Sequence, residues 1–309
     1  METVLITTSS FGADGVRRIE AQGLNVVSNP HGRKLSEAEA GELFSAHRPV
    51  GMIAGVEPLS RQVLAGAAEL RVISRCGIGM DSVDLEAARE FGIEVTNTPD
   101  APTIPVAELT LGMILTLLRG IHTSDASIRR GGWERPMGSL LHGKTVGLAG
   151  CGRIGTRVAQ LLQPFGCRVF GCDPLGKANP WYALAGLEEV LAEADILSLH
   201  LPYTAETRHF IGTPQLGALK RGAVIVNAAR GGLIDEDALY AALASGHLTG
   251  AALDCFESEP YTGPLTELPN VVLTGHIGSY AKEARALMEG QAVENLLARL
   301  NKLRPPIDS

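Results

Sequence analysis

The feature that most constrains this chain is a rhythm of short apolar runs. Runs rich in β-branched residues recur along the sequence, and longer amphipathic stretches separate them. A first series comprises Val4–Thr7, Leu24–Val27, Val50–Ala54, Arg71–Ser74 and Ile93–Thr96. A second comprises Thr145–Ala149, Arg168–Gly171, Ile196–Leu199, Ala223–Val226, Ala251–Leu253 and Val271–Leu273. Runs this short and this continuously apolar suit strands covered on both faces of a parallel sheet, with the amphipathic stretches as crossover helices. The expected class is α/β, with two doubly wound parallel-sheet domains. A chain of 309 residues, at about 150 per domain, has room for both.

The join between the series is legible. Asn97-Thr98-Pro99-Asp100-Ala101-Pro102 carries two prolines and Pro105 follows, so a strand cannot continue and a helix can start. Val106–Leu118 then reads as a helix that is apolar on nearly all sides, which suits a core helix or a subunit interface. Between Ser124 and Leu141 the pattern turns polar and reads as an exposed arm. Lys282–Leu300 is an amphipathic helix with no partner in the second strand series. The expected division is 1–98 plus 282–309, and 99–281.

Composition excludes several classes. Lys and Arg total 27 against 34 Asp and Glu, a net charge of −7, and aromatics are 5%, so nucleic acid is not the expected partner. The longest uncharged apolar run, Leu109–Leu118, is about half the roughly 20 residues of a membrane span, so no membrane is expected. An acid stands at position 2, where a signal peptide would carry a base. The odd cysteine count of 5, with no C-x-x-C pair, fits a reducing cytoplasm rather than a disulfide framework. No H-E-x-x-H supports a metal site.

Glycine is the outlier, 36 residues, well above the usual share of about 7%. The most informative are in Gly150-Cys151-Gly152-Arg153-Ile154-Gly155, a G-x-G-x-x-G that follows a strand pattern directly and opens a helical one. Asp173 closes the next strand run, at roughly the 20 residues that a dinucleotide fingerprint places before its ribose-binding acid. Gly150 would make the turn, Gly152 would admit the pyrophosphate, and Gly155 would pack the helix on the strand. Asp173 would accept from both ribose hydroxyls and repel a 2′-phosphate, and Pro174 rather than Arg follows it. NAD is expected over NADP.

Three further segments end strands of the second series: Asn227–Gly232, Asp254–Pro260 and Gly275–Gly278. They bring an Arg, a Glu and a His to the carboxyl edge, where such sheets bind ligands. A guanidinium grips a carboxylate bidentately, and a His beside a carboxylate is suited to donating a proton to a carbonyl oxygen. Beside a nicotinamide this set reduces 2-keto acids. The alternative is a structural ion pair of Arg230 with Glu259 and a His276 that merely closes a turn.

At this point the chain resembles the D-isomer-specific 2-hydroxyacid dehydrogenases, and within them the phosphoglycerate-oxidising branch. The matching text includes Gly77–Leu85, Asn97-Thr98-Pro99, Ala107–Thr110, Trp133-Glu134-Arg135, Gly143–Gly147, Gly150–Gly155, Asn227–Gly232, Ala251–Pro260 and Gly275–Gly278, in order at the family's spacings. The resemblance implies a Rossmann NAD domain and a discontinuous flavodoxin-like substrate domain, completed by the C-terminal helix. It assigns Arg230 to substrate binding, His276 to acid–base catalysis and Glu259 to holding His276. It matches Asp254 to the nicotinamide carboxamide, and Ile78, Arg153, Ile154, Leu201, Pro202, Thr207, Ala228, Ala229 and Gly278 to further cofactor contacts. The loop Cys76-Gly77-Ile78-Gly79 would cradle the substrate carboxylate with its N–H groups. A homodimer built on the Val106–Leu118 helix and the following arm is also implied.

One departure matters. The phosphoglycerate branch places a base for the phosphate after the third strand, and Gly55 stands there. Arg75 and, across a dimer, Arg135 remain as candidate phosphate ligands, or as two solvated surface arginines. The chain ends at Ser309, so regulatory domains found in longer relatives are not expected. Overall resemblance favours phosphoglycerate as substrate and Gly55 argues for an unphosphorylated acid such as glyoxylate or hydroxypyruvate. An NAD-sensing corepressor is the reading from a different class.

Overall fold

The computed structural model describes residues 1–303, which divide into two compact units: Met1–Pro102 with the segment from Ala281, and Thr103–Tyr280. The first crossing thus falls after Pro102, a few residues beyond the Thr98 expected from the prolines, and the last residues of the expected C-terminal segment lie outside the described residues.

The first unit is a five-stranded sheet, wholly parallel, in the order β2-β1-β3-β4-β5. Its strands are β1 (Thr3–Ile6), β2 (Asn25–Ser28), β3 (Gly51–Ala54), β4 (Val72–Arg75) and β5 (Glu94–Thr96). β3 and β4 are buried along their whole length, including the polar Ser74 and Arg75 that end β4. Helices α1 (Ala13–Glu20), α2 (Glu37–His47), α3 (Arg61–Ala65) and α4 (Leu85–Glu90) connect the strands. α2 starts on a capping box, in which the Ser36 hydroxyl accepts from Glu39 N–H and the Glu39 carboxylate accepts from Ser36 N–H. One face carries Phe44, Val63, Leu64 and Ala87 from α2, α3 and α4. The other carries Ile19 of α1 and Met288, Ala292, Val293 and Leu296 of the C-terminal helix, Lys282–Leu303. That helix is the sheet's missing cover, and the Ser74 hydroxyl donates to its Ala292 carbonyl at 2.8 Å.

The second unit begins with α5 (Thr103–Arg119) and α6 (Ile121–Arg129). α6 replaces the first part of the expected arm: its turns are helical, and only the following stretch to Leu140 has no regular structure and is exposed. The sheet has seven parallel strands in the order β12-β11-β10-β9-β6-β7-β8. They are β6 (Thr145–Ala149), β7 (Arg168–Cys172), β8 (Ala183–Leu184), β9 (Ile196–Leu199), β10 (Val224–Asn227), β11 (Gly250–Leu253) and β12 (Val271–Leu273). The crossovers are α7 (Arg153–Leu162), α8 (Leu187–Glu193), α9 (Thr213–Ala218) and α10 (Glu236–Ala244). α5 and α7 cover one face with Met113, Ile114, Val158 and Leu162, which explains why α5 is apolar on so many sides. α8, α9 and α10 cover the other with Val190, Leu216, Leu239 and Leu243. Among the described residues no single helix is long and apolar enough to cross a membrane.

Candidate active site

β6 runs straight into the glycine loop. Gly150 takes a left-handed φ of +96°, and a Cβ there would lie 2.6 Å from the His200 carbonyl. A Cβ on Gly155 would collide with the Gly150 carbonyl, so the first turn of α7 lies directly on the loop. Gly152, the residue before α7, has nothing near its absent Cβ, and no side chain caps the helix. The first N–H groups of α7 are therefore available to an anion.

At the end of β7, Asp173 accepts from the N–H groups of Cys151 and Leu175, both at 2.8 Å. Those bonds fix the carboxylate beside the loop and leave each oxygen a second lone pair. A dinucleotide therefore fits: open glycine backbone, an uncapped helix start, and an oriented acid one strand away. Arg153 is exposed at the helix start, and Ile154 packs on the α5–α7 core. Cys151 is buried in the loop, where burial first and Asp173 second push its thiol up to about 12, far from a reactive thiolate.

The neighbouring strand ends supply the wall. After β9, burial pushes the His200 imidazole down to about 4, and its Nε2 lies 2.9 Å from the Ser198 hydroxyl. Leu201 packs on the core, and the Thr207 hydroxyl donates to the Pro202 carbonyl at 2.7 Å, closing that turn. After β10, Ala228 is buried and Ala229 N–H donates to Asn227 Oδ1 at 3.1 Å. The Asn227 side chain also donates to the Arg230 carbonyl at 2.7 Å, and Arg230 Nη1 donates to the Ala229 carbonyl at 2.7 Å. A Cβ on Gly231 would overlap the Phe256 backbone, so the Arg230 turn is pressed against the loop that follows β11.

That loop and the one after β12 hold the pair of Glu259 and His276. His276 Nδ1 lies 3.0 and 3.1 Å from the two Glu259 oxygens. A carboxylate can only accept, so Nδ1 carries the proton and Nε2 is the atom left for chemistry. Phe256 N–H donates to Glu259 Oε1 at 3.2 Å and fixes the carboxylate in turn. His276 sits at φ +57°, an uncommon conformation for a residue with a Cβ. Asp254 holds it there. Its Oδ1 accepts from the Thr274 hydroxyl at 2.6 Å and Ile277 N–H at 2.8 Å, and its Oδ2 accepts from Gly278 N–H at 2.8 Å. Asp254 is thus the post to which the histidine loop is tied, a role that the sequence alone does not suggest. The charges of Arg230 and Glu259 both act on the buried Cys255 thiol. Arg230, Glu259 and His276 come from three adjacent strand ends.

In the first unit, the loop after β4 is organised from below. Gly77 N–H donates to the Thr98 hydroxyl at 2.9 Å, and the Asn97 side chain donates to the Ile78 carbonyl at 2.9 Å. Gly77 N–H is therefore already engaged, while those of Ile78 and Gly79 have no protein acceptor among the described residues. Cys76 is buried, and burial pushes its thiol up to about 11. Arg75 is not a solvated surface arginine: it is 6% exposed, and its Nη1 donates to the Cys76 carbonyl. A Cβ on Gly77 would meet that guanidinium, which lies directly behind the loop. Arg135 is exposed on the irregular stretch after α6.

Residues 111–278 match the family profile described as D-isomer specific 2-hydroxyacid dehydrogenase, NAD binding domain. The chain belongs to the D-isomer-specific 2-hydroxyacid dehydrogenase family and carries its NAD-binding domain. It is 41% identical to the D-3-phosphoglycerate dehydrogenase of Methanocaldococcus jannaschii, over 80% of this chain and 52% of that protein. It is also 41% identical to the glyoxylate reductase of Aeropyrum pernix, over 79% of this chain and 77% of that one. Among solved structures it resembles the TT0316 protein from Thermus thermophilus, with a TM-score of 0.91, 42% identity and 98% of each chain covered. The chain spans about half the length of the phosphoglycerate dehydrogenases it matches.

Proposed function

We propose that this protein interconverts a D-2-hydroxy acid and its 2-keto acid with NAD. The observation that carries the reading is the His276–Glu259 pair on the carboxyl edge of the sheet that also carries the glycine loop and Asp173. In the direction of reduction, the bound nicotinamide supplies a hydride to the keto carbon. His276 Nε2 gives its proton to the carbonyl oxygen, and Glu259 compensates the imidazolium charge before transfer and keeps Nδ1 protonated after it. Arg230 binds the substrate carboxylate and polarises the carbonyl, a place where a planar guanidinium does what a point charge cannot. In the first unit, the Ile78 and Gly79 N–H groups are donors suited to a carboxylate. In oxidation the neutral imidazole removes the hydroxyl proton as the hydride leaves.

For the substrate itself, relatives of equal identity act on different acids by name, one on phosphoglycerate and one on glyoxylate. Overall resemblance supports the phosphorylated acid. The burial of Arg75 and its bond to the Cys76 carbonyl favour the unphosphorylated one, because that guanidinium is already engaged within the chain. NADH consumption with a panel of 2-keto acids tests both readings. A protein that consumes no NADH with any acid, yet binds NADH tightly, would instead fit the corepressor-like reading.

The active form is a homodimer. The stretch after α6 exposes Trp133 at 80% and Met137 at 99%, with Leu140 also exposed, and α6 adds Ile121 and Ile128. Large apolar side chains grouped so closely on one segment mark an interface. A second copy of this chain is the occupant. All five cysteines are free, which suits a reducing compartment.

A further inference from the structure

The order β2-β1-β3-β4-β5 reverses direction between β1 and β3, and a parallel sheet opens its binding crevice outside the carboxyl ends of the strands at such a reversal. In this chain an acid occupies that crevice. Glu57 follows β3, is 1% exposed, and folds back so that its Oε1 accepts from the Thr7 hydroxyl beyond β1 and from Gly55 N–H at 3.2 Å. A Cβ on Gly55 would stand 2.7 Å from Glu57 Oε2, so the glycine at 55 and the acid at 57 are one device. A side chain at 55 would require the folded-back Glu57 carboxylate to shift. Beside them Thr8 buries a hydroxyl with no hydrogen-bond partner among the described residues, although it is 7% exposed. Arg75, at the end of β4, lies close enough for its charge to act on Glu57.

We propose that Glu57 is a specificity-determining residue: it fills the crevice and offsets the Arg75 charge, so the site accepts small 2-keto acids with a hydrogen or hydroxyl tail and rejects those ending in a phosphate. This rests on the reading that the loop from Cys76 to Gly79 binds the substrate carboxylate. A phosphate here would meet an acid instead of a base, which offers it no positive charge to pair with and repels it when ionised. Burial foremost raises the Glu57 carboxyl above the usual carboxylate range, while the Thr7 hydroxyl and Arg75 act in the opposite sense.

The test compares hydroxypyruvate, 3-phosphohydroxypyruvate and glyoxylate as substrates of the wild type, Glu57→Gln and Glu57→Asp. Calorimetric binding of D-glycerate and 3-phosphoglycerate to the NAD-loaded proteins forms the second arm. The wild type should prefer hydroxypyruvate to its phosphorylated form by about 100-fold or more in kcat/KM. Glu57→Gln should raise the ratio of kcat/KM for the phosphorylated acid to that for hydroxypyruvate at least about tenfold. Glu57→Asp keeps the charge and should keep the rejection. A wild type that prefers the phosphorylated acid overturns the proposal, and so does a folded Glu57→Gln with an unchanged preference. If no 2-keto acid is turned over, the dehydrogenase reading fails separately. The ratio of 3-phosphoglycerate to D-glycerate affinity in wild type and Glu57→Gln then still decides the role of Glu57, supporting it if the ratio rises and overturning it if the ratio is unmoved.

Discussion

Among single residues, Asp173 is the one we propose sets the choice of cofactor. Its carboxylate is oriented by two backbone N–H groups and sits beside the helix start where the pyrophosphate would lie. A second lone pair on each oxygen can take a ribose hydroxyl, whereas a 2′-phosphate would bring like charge against it. We expect a clear preference for NAD over NADP in kcat/KM. Asp173→Ala should narrow that preference, by weakening NAD more than NADP. Measuring kcat/KM for both cofactors in both proteins checks this, and equal values in the wild type would refute it. Asp173 is legible in the sequence because strand, glycine loop, helix and acid occur in one order at one spacing. Glu57 is not. Nothing in its neighbourhood of sequence distinguishes a buried acid from a solvated one, and only the fold brings Thr7 and Gly55 to its carboxylate.

Among the elements, the loop after β12 holds its histidine in a left-handed conformation while Asp254 accepts from three donors of that loop. Asp254→Asn replaces one accepting oxygen by an amide that faces donors. Leaving buried donors unsatisfied costs about 1–3 kcal/mol. The variant should therefore melt at lower temperature and lose kcat more than NADH affinity, as thermal melts and steady-state kinetics would read. An unchanged kcat would show that the tie does not position His276. The sequence matches Asp254 only to a cofactor contact, since hydrogen bonds between two strand ends leave no periodic trace. Most strands are legible because each is a short apolar run between amphipathic stretches. β8 escapes notice in the sequence because Ala183–Leu184 is two residues long and exposed. α6 reads as part of a polar arm because its apolar positions, Ile121 and Ile128, face solvent and give no core-facing pattern.

For the whole molecule, exposed apolar surface bears on assembly and the strand-end residues bear on chemistry. If the stretch after α6 docks on a second copy, Trp133→Glu with Met137→Glu should convert a dimer to a monomer in sedimentation velocity, with the melting profile of each unit retained. A wild type that is monomeric at micromolar concentration would contradict the assembly. Reduction of 2-keto acids with His276 as the proton donor is tested by following NADH consumption with glyoxylate and hydroxypyruvate in the wild type and His276→Ala, alongside NADH binding to both. The expected outcome is turnover by the wild type, a loss of roughly 10²–10⁴-fold in kcat for the variant, and NADH affinity nearly unchanged. A His276→Ala protein that retains most of its activity would contradict that role.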